Sequence, residues 1–104
     1  MPDFDYRRAA ESVAIRTAVT GVLATQWDPA GEIRAAASGG EAYYADHALT
    51  LAAMLAADAR TPEIQRYLRQ VEQDALGESL HPFDARRGIA EAVWRAVRGV
   101  APAT

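Results

Sequence analysis

The sequence predicts an all-α fold, a compact bundle of four helices. Apolar residues recur every three or four positions in four separate segments, as they do on the buried face of a helix. Proline and glycine interrupt the pattern between these segments, and no segment alternates apolar and polar residues with the period of two that marks a strand. We therefore predict helices over about residues 5–26, 41–59, 63–76 and 84–98.

The first helix is predicted from an apolar stripe that repeats at every fourth position. Its members are Ile15, Val19, Leu23 and Trp27. The segment Asp28-Pro29-Ala30-Gly31 ends the helix, because proline disfavours helical conformation in the preceding residue and glycine readily adopts turn conformations. We predict that residues 28–40 form a loop.

The second and third helices are separated by a clear break at Thr61-Pro62. Thr61 is predicted as the N-cap of the third helix, and Pro62 as its first helical residue. Gly77 is predicted to end that helix. The second helix presents Tyr44, Ala48, Leu51, Leu55 and Ala59 on one face. The third presents Ile64, Tyr67, Leu68, Val71, Ala75 and Leu76.

The fourth helix follows a polar joint over residues 78–82. Gly99 and Pro102 are predicted to end it. Its apolar stripe consists of Ile89, Val93, Ala96, Val97 and Val100. Trp94 lies beside this stripe, and both tryptophans are therefore predicted to pack in the core; the alternative is that one of them anchors a binding partner.

Length and composition restrict the class of protein. The 104 residues predict a single helical domain over residues 1–104. Cysteine is absent, which excludes disulfides, thiolate nucleophiles and cysteine-ligated metals. The formal net charge of −3 provides no overall positive field for nucleic acid or anionic lipid. We expect a cytoplasmic protein without a membrane segment, because the longest apolar run has seven residues and no signal-peptide pattern is present.

No sequence motif indicates catalysis or cofactor binding. Phosphate-binding glycine loops, zinc-protease motifs and nucleophile elbows are all absent from the sequence. The histidines, His47 and His81, lie in different segments, and adjacent Asp46 and His47 point about 100° apart on a helix. A metal site needs three or four convergent ligands. We therefore predict no catalytic residue, no metal site and no cofactor, and a protein that is not an enzyme.

One alternative function is a regulator that associates with nucleic acid through arginines of the last helix. The dense positive group consists of Arg86, Arg87, Arg95 and Arg98. Glu91 lies among them and reduces the positive charge of the face, whereas a surface that follows phosphates carries a larger excess. Nucleic acid is therefore the less favoured partner.

A second alternative is a small ligand-binding protein or enzyme. Its polar pocket would be formed by Tyr44, His47 and Glu72, which lie on the second and third predicted helices. Glu72 is expected to bond either to the loop after the first helix or to Tyr44.

Several short motifs occur in a fixed order along most of the chain. They are Trp27-Asp28-Pro29-Ala30-Gly31, the acidic-tyrosine segment 41–44, the apolar pair Met54-Leu55, the helix segment 64–72 (Ile-Gln-Arg-Tyr-Leu-Arg-Gln-Val-Glu) and the stop at Gly77. Over about residues 15–97, this order resembles a family of small bacterial helical proteins of unknown function with a Trp-Asp-Pro-apolar-Gly signature. The sequence departs from the family pattern at Ala30, Ala45 and His47. The resemblance implies a helical fold, and some small acidic helical proteins of this kind look like immunity partners of bacterial toxins.

The signature also has a structural interpretation. Asp28 is expected to accept backbone N–H bonds in the turn, Pro29 to set the direction of the chain and Gly31 to supply permissive dihedral angles. Trp27 would then hold the loop against the core.

The favoured function is a non-catalytic protein-interaction module, such as an immunity or antitoxin-like partner of a bacterial toxin. Small size, acidic charge and the lack of a catalytic pattern favour it. The predicted partner-binding surface combines a negative rim with aromatic anchors, which are typical of protein interfaces. It consists of Asp28, Glu32, Glu41, Tyr43, Tyr44 and Asp46.

Overall fold

The computed structural model describes residues 13–57 and 59–100, which are helical and contain no strand. The helices are α1 (Val13–Val22), α2 (Glu32–Ala36), α3 (Tyr43–Ala56), α4 (Thr61–Leu76) and α5 (Phe83–Val100). The predicted all-α class is thereby confirmed. Residues 5–12 of the first predicted helix lie outside the described residues.

The predicted four-helix bundle is not confirmed, because the segment 28–40 contains helix α2 where we predicted a loop. This helix has only five residues, too few to show an apolar period in the sequence. Its stability comes from outside the helix. The carboxylate of Asp28 accepts bonds from the N–H groups of Ile33 and Arg34, each at 3.0 Å, and the Ile33 side chain is fully buried.

Helix α1 continues into a π-helical segment, Leu23–Trp27, where the N–H of Asp28 donates to the carbonyl of Leu23 at 2.9 Å. In a regular α-helix, every fourth residue is displaced by about 40° around the axis. A stripe with strict spacing of four would therefore turn away from the core. The wider π turn reduces this displacement, and Trp27 is buried together with Ile15 and Val19.

The core lies between α1, α3, α4 and α5. Helix α1 packs against both α3 and α5, while α4 packs against α5 and α2. The fully buried apolar side chains include Val19, Leu23, Trp27, Ile33, Leu51, Ile64, Leu68, Val93 and Val97. Among the described residues, no helix combines the length and apolar character that crossing a membrane requires.

The two ends of α4 differ in how well they match the prediction. Gly77 ends the helix as predicted, with a φ of 77° and its N–H donating to the carbonyl of Gln73 at 2.8 Å. The prediction of Thr61 as N-cap is wrong. The carbonyl of Arg60 already accepts a bond from the N–H of Ile64, so the helix begins one residue earlier and Thr61 is its first residue.

Candidate functional site

The most densely bonded polar group of the described structure is the buried carboxylate of Glu72 on α4. Its Oε2 accepts bonds from Nε1 of Trp27 at 2.9 Å and from Nε of Arg86 at 3.2 Å. Its Oε1 accepts bonds from a terminal guanidinium nitrogen of Arg86 at 2.8 Å and from the backbone N–H groups of Leu80 at 2.8 Å and His81 at 3.3 Å. The carboxylate therefore connects α1, α4, α5 and the joint between the last two helices.

The same joint is held by two further bonds. Arg86 donates to the backbone carbonyl of His81 at 2.6 Å, and the ring of His81 donates from Nε2 to the backbone carbonyl of Trp27. His81 therefore helps to hold the polar joint that the sequence predicts over residues 78–82.

Glu72 is held in its ionised form. Burial by itself raises the pKa of a carboxyl group, but the bonds from Arg86, Trp27 and the N–H of Leu80 outweigh burial and leave the pKa of Glu72 below its ordinary value. All five bonds end on its two oxygens, so the group serves to fix the positions of the surrounding helices.

The pairing with Glu72 corrects the interpretation of the arginines on α5. The nucleic-acid alternative counts Arg86 among its binding residues, but the side chain of Arg86 is buried and bonded. Arg87, Arg95 and Arg98 are exposed, and the guanidinium of Arg98 lies 5.1 Å from the centre of the Trp94 ring. The proposed nucleic-acid surface therefore loses one of its four arginines.

Asp28 and Tyr44 form a second buried polar group. The hydroxyl of Tyr44 donates to Oδ2 of Asp28 at 2.7 Å, and both side chains are buried. Burial, together with the hydrogen bond to Asp28, raises the pKa of Tyr44 to about 12. The assignment of these two residues to an exposed partner-binding surface is therefore corrected: they lie inside the fold.

Trp27 and Gly31 have the local roles that the sequence predicts. Trp27 is fully buried, Pro29 is exposed, and the N–H of Gly31 donates to the carbonyl of Asp28 at 3.0 Å. Gly31 has a φ of 70°, in the left-handed region that favours glycine. The turn leads directly into α2, where the N–H groups of Ile33 and Arg34 bond to Asp28.

His47 lies in a cluster of aromatic rings. Its Nδ1 shares a hydrogen bond of 2.6 Å with the hydroxyl of Tyr67. The ring centres of Tyr43 and Trp27 lie 4.6 Å and 5.9 Å from that of His47, both in edge-to-face orientation. The cluster explains why a histidine is accommodated at this position on α3.

The proposed pocket residues each have a different partner. Tyr44 bonds to Asp28, His47 to Tyr67, and Glu72 to Arg86 and Trp27. Glu72 does not bond to Tyr44, and its bond to the Trp-Asp-Pro-Ala-Gly segment comes from the side chain of Trp27, at the end of the π segment. Within residues 13–57 and 59–100, no three histidine, aspartate or glutamate side chains are grouped so as to hold a metal ion.

The environment of His47 predicts a dependence of stability on pH. Burial lowers the pKa of His47, although Asp46 acts in the opposite direction. Below pH of about 6.5 the unfolded chain therefore binds a proton that the folded chain does not bind, and the free energy of unfolding should fall until the pH reaches the folded pKa. Urea unfolding at pH 7.5 and 5.5 measures the effect.

A matched variant assigns this pH dependence to one residue. His47→Gln should show a smaller loss of stability between the two pH values than the natural sequence shows, because the titrating group is absent. An NMR titration midpoint of the His47 ring above 6.5 would contradict the prediction.

The other predicted partner-binding residues lie at the surface around the starts of α2 and α3. Glu32, Glu41 and Asp46 are exposed, whereas Tyr43 is half-buried. The Tyr43 ring packs so closely on the backbone of residue 39 that a Cβ there would lie 2.5 Å from it, which explains Gly39. We call Glu32, Glu41, Tyr43 and Asp46 the acidic surface.

The Glu72–Arg86 pair is absent from the residues predicted to matter, although the sequence contains a signal for it. Arg86 lies three residues before Ile89 and seven before Val93, on the apolar stripe of α5. Glu72 lies four residues after Leu68 on the stripe of α4. Opposite charges on two apolar stripes indicate a buried pair, because a buried charge requires a partner.

The exposed aromatic residues were not predicted either. Trp94 is 42% exposed and Phe83 is 65% exposed, so the expectation that Trp94 packs in the core is wrong. The position of Trp94 immediately after Val93 places it about 100° from the buried stripe.

Comparison of the chain with protein-family models, curated proteins and solved structures finds no match.

Proposed function

We propose that the chain is a non-catalytic protein-interaction module that acts by binding a protein partner, as an immunity or antitoxin partner binds a bacterial toxin. The observation that supports this proposal is that the buried side chain of Asp28 is hydrogen-bonded to both α2 and α3, the helices whose starts carry the acidic surface. Asp28 accepts bonds from the N–H groups of Ile33 and Arg34 on α2 and from the hydroxyl of Tyr44 on α3.

This arrangement favours binding because the surface is held in position before a partner arrives. Glu32 immediately precedes Ile33, whose backbone N–H bonds to Asp28, and Tyr43 immediately precedes Tyr44, whose side chain is held by Asp28. A fixed surface loses less conformational entropy on association than a mobile one.

The charge of the surface favours a basic partner. Three carboxylates of the acidic surface, those of Glu32, Glu41 and Asp46, are exposed, and its tyrosine, Tyr43, is half-buried. Exposed charges increase the rate of encounter with an oppositely charged protein, whereas an aromatic side chain in the centre of an interface slows dissociation. The exposed Arg34 is the basic residue of α2 and reduces this charge in part.

Two substitutions in the acidic surface separate these contributions. Once a partner has been captured from the native host, Tyr43→Ala should raise its dissociation rate by about 30-fold, as expected for loss of an aromatic anchor. Glu41→Arg should instead lower the association rate, most strongly at low salt, because charge steering is screened by ions. Stopped-flow or surface-binding kinetics with the purified partner measure both rates.

The control is Glu78→Arg, which makes the same change of charge at an exposed position in the joint between α4 and α5. Its rates should match those of the natural sequence. If Tyr43→Ala and Glu41→Arg also leave both rates unchanged, the acidic surface is not the interface.

A further inference from the structure

A groove whose charged lining residues are arginines lies between α4 and the joint that leads into α5. The groove has a volume of about 420 Å³, within the range of about 300–1,000 Å³ that is usual for small-molecule sites. No acidic side chain is among the described residues that line it. We call it the basic groove, and its lining includes Gln65, Arg66, Arg69, Ser79, His81 and Phe83.

Two arginines of the basic groove carry charge that the described structure does not neutralise. Arg66 and Arg69 are three residues apart on α4, so they share a face of the helix, and both are exposed. Neither guanidinium has an ion-pair or hydrogen-bond partner among the described residues. Arg86, which also lines the groove, differs because Glu72 already neutralises it. Guanidinium groups bind carboxylate and phosphate oxygens with two parallel hydrogen bonds.

An uncharged donor at the same groove also lacks a partner. The side chain of Gln65 is more than nine-tenths buried, and its Nε2 has no hydrogen-bond partner in the described structure. A buried donor without an acceptor is unfavourable. Rotation of this amide towards a bound oxyanion would supply the acceptor.

The edge of the groove has an apolar component. Phe83 lines the groove at the start of α5 and is 65% exposed. An exposed aromatic ring next to two unpaired guanidinium groups suits a ligand that carries both a negative charge and a flat apolar group.

We propose that the basic groove binds a small organic anion, a carboxylate or phosphate ester attached to an aromatic ring. Arg66 and Arg69 bind the oxyanion, the Gln65 amide donates to it, and Phe83 packs against the ring. This site is distinct from the acidic surface, and its test does not require the protein partner.

The test uses phenyl phosphate and inorganic phosphate as probes in NMR titrations of the full chain. Phenyl phosphate should give saturable shifts in the amides of residues 65–69 and 79–83 and in the side-chain amide of Gln65. Arg66→Gln and Arg69→Gln should each weaken its binding by about tenfold, as expected for loss of a charge-assisted bond. Inorganic phosphate should bind about fivefold more weakly, and Phe83→Ala should remove that difference.

The control is Arg87→Gln, because Arg87 is an exposed arginine of α5 that does not line the groove. Its affinity for phenyl phosphate should match that of the natural sequence. The proposal is overturned if shifts do not saturate, if they map elsewhere, or if Arg87→Gln weakens binding as much as the groove variants do. A single-stranded oligonucleotide that binds through Arg66 and Arg69 when phenyl phosphate does not would identify a nucleic-acid surface instead, and would also overturn it.

Discussion

Replacing Arg86 with methionine is expected to lower the free energy of unfolding by about 3–5 kcal/mol, the usual cost of leaving one partner of a buried ion pair alone. The substitution removes both guanidinium bonds from Glu72 and the bond to the carbonyl of His81. Methionine retains much of the apolar stem of arginine, so the loss is mainly electrostatic. Urea unfolding followed by circular dichroism measures the change.

The neighbouring residue provides the control for this substitution. Arg87 is exposed, and Arg87→Met should change the free energy of unfolding by no more than about 0.5 kcal/mol. The double variant Glu72→Leu, Arg86→Met should be more stable than Arg86→Met, because it no longer buries an unpaired carboxylate. Equal stability of Arg86→Met and the natural sequence would show that the pair does not support the fold.

Replacing Trp27 with alanine is expected to lower the free energy of unfolding by a similar amount, about 3–5 kcal/mol. Trp27 is fully buried at the end of the π segment, and its Nε1–H donates to Glu72. Its removal leaves a large cavity and takes one donor from a buried carboxylate. The midpoint of urea unfolding gives the measurement.

Two other variants separate packing from hydrogen bonding at Trp27. Trp27→Phe keeps most of the apolar volume but loses the bond to Glu72, so its cost should be smaller than that of Trp27→Ala. Trp94→Ala should cost about 1 kcal/mol or less, because Trp94 lies outside the buried core and contacts Arg98 by a cation–π interaction. An unfolding midpoint for Trp27→Ala equal to that of Trp94→Ala would contradict the buried position of Trp27.

The positions of the long helices could be predicted because the information for them is local. The apolar stripes of α3, α4 and α5 are visible in short windows of sequence, and Gly77 ends α4 with the left-handed conformation expected for it. Their observed ends lie within a few residues of the predicted ones. Helix α2 was missed because Ile33 and Asp28, which stabilise it, belong to the core and to the preceding turn.

The candidate site was predicted less well, because charge alone does not show whether a side chain is exposed. Asp28 and Tyr44 are residue types expected in an acidic, aromatic interface, but they form a hydrogen bond with each other inside the fold. Glu32, Glu41 and Asp46 are acidic like Asp28, but they lie at the surface. The difference depends on where the turn after α1 places Asp28, between α2 and α3.

By itself, the sequence determined that this chain is helical, where α3, α4 and α5 lie to within a few residues, and that the Trp-Asp-Pro-Ala-Gly segment makes a turn. These properties follow from periodicity, proline and glycine, which act over a few residues. Only the tertiary structure decided which charged residues lie inside, namely Asp28, Glu72 and Arg86. A buried charge is stable only beside its partner, and the partners are distant in the chain: 45 residues separate Trp27 from Glu72.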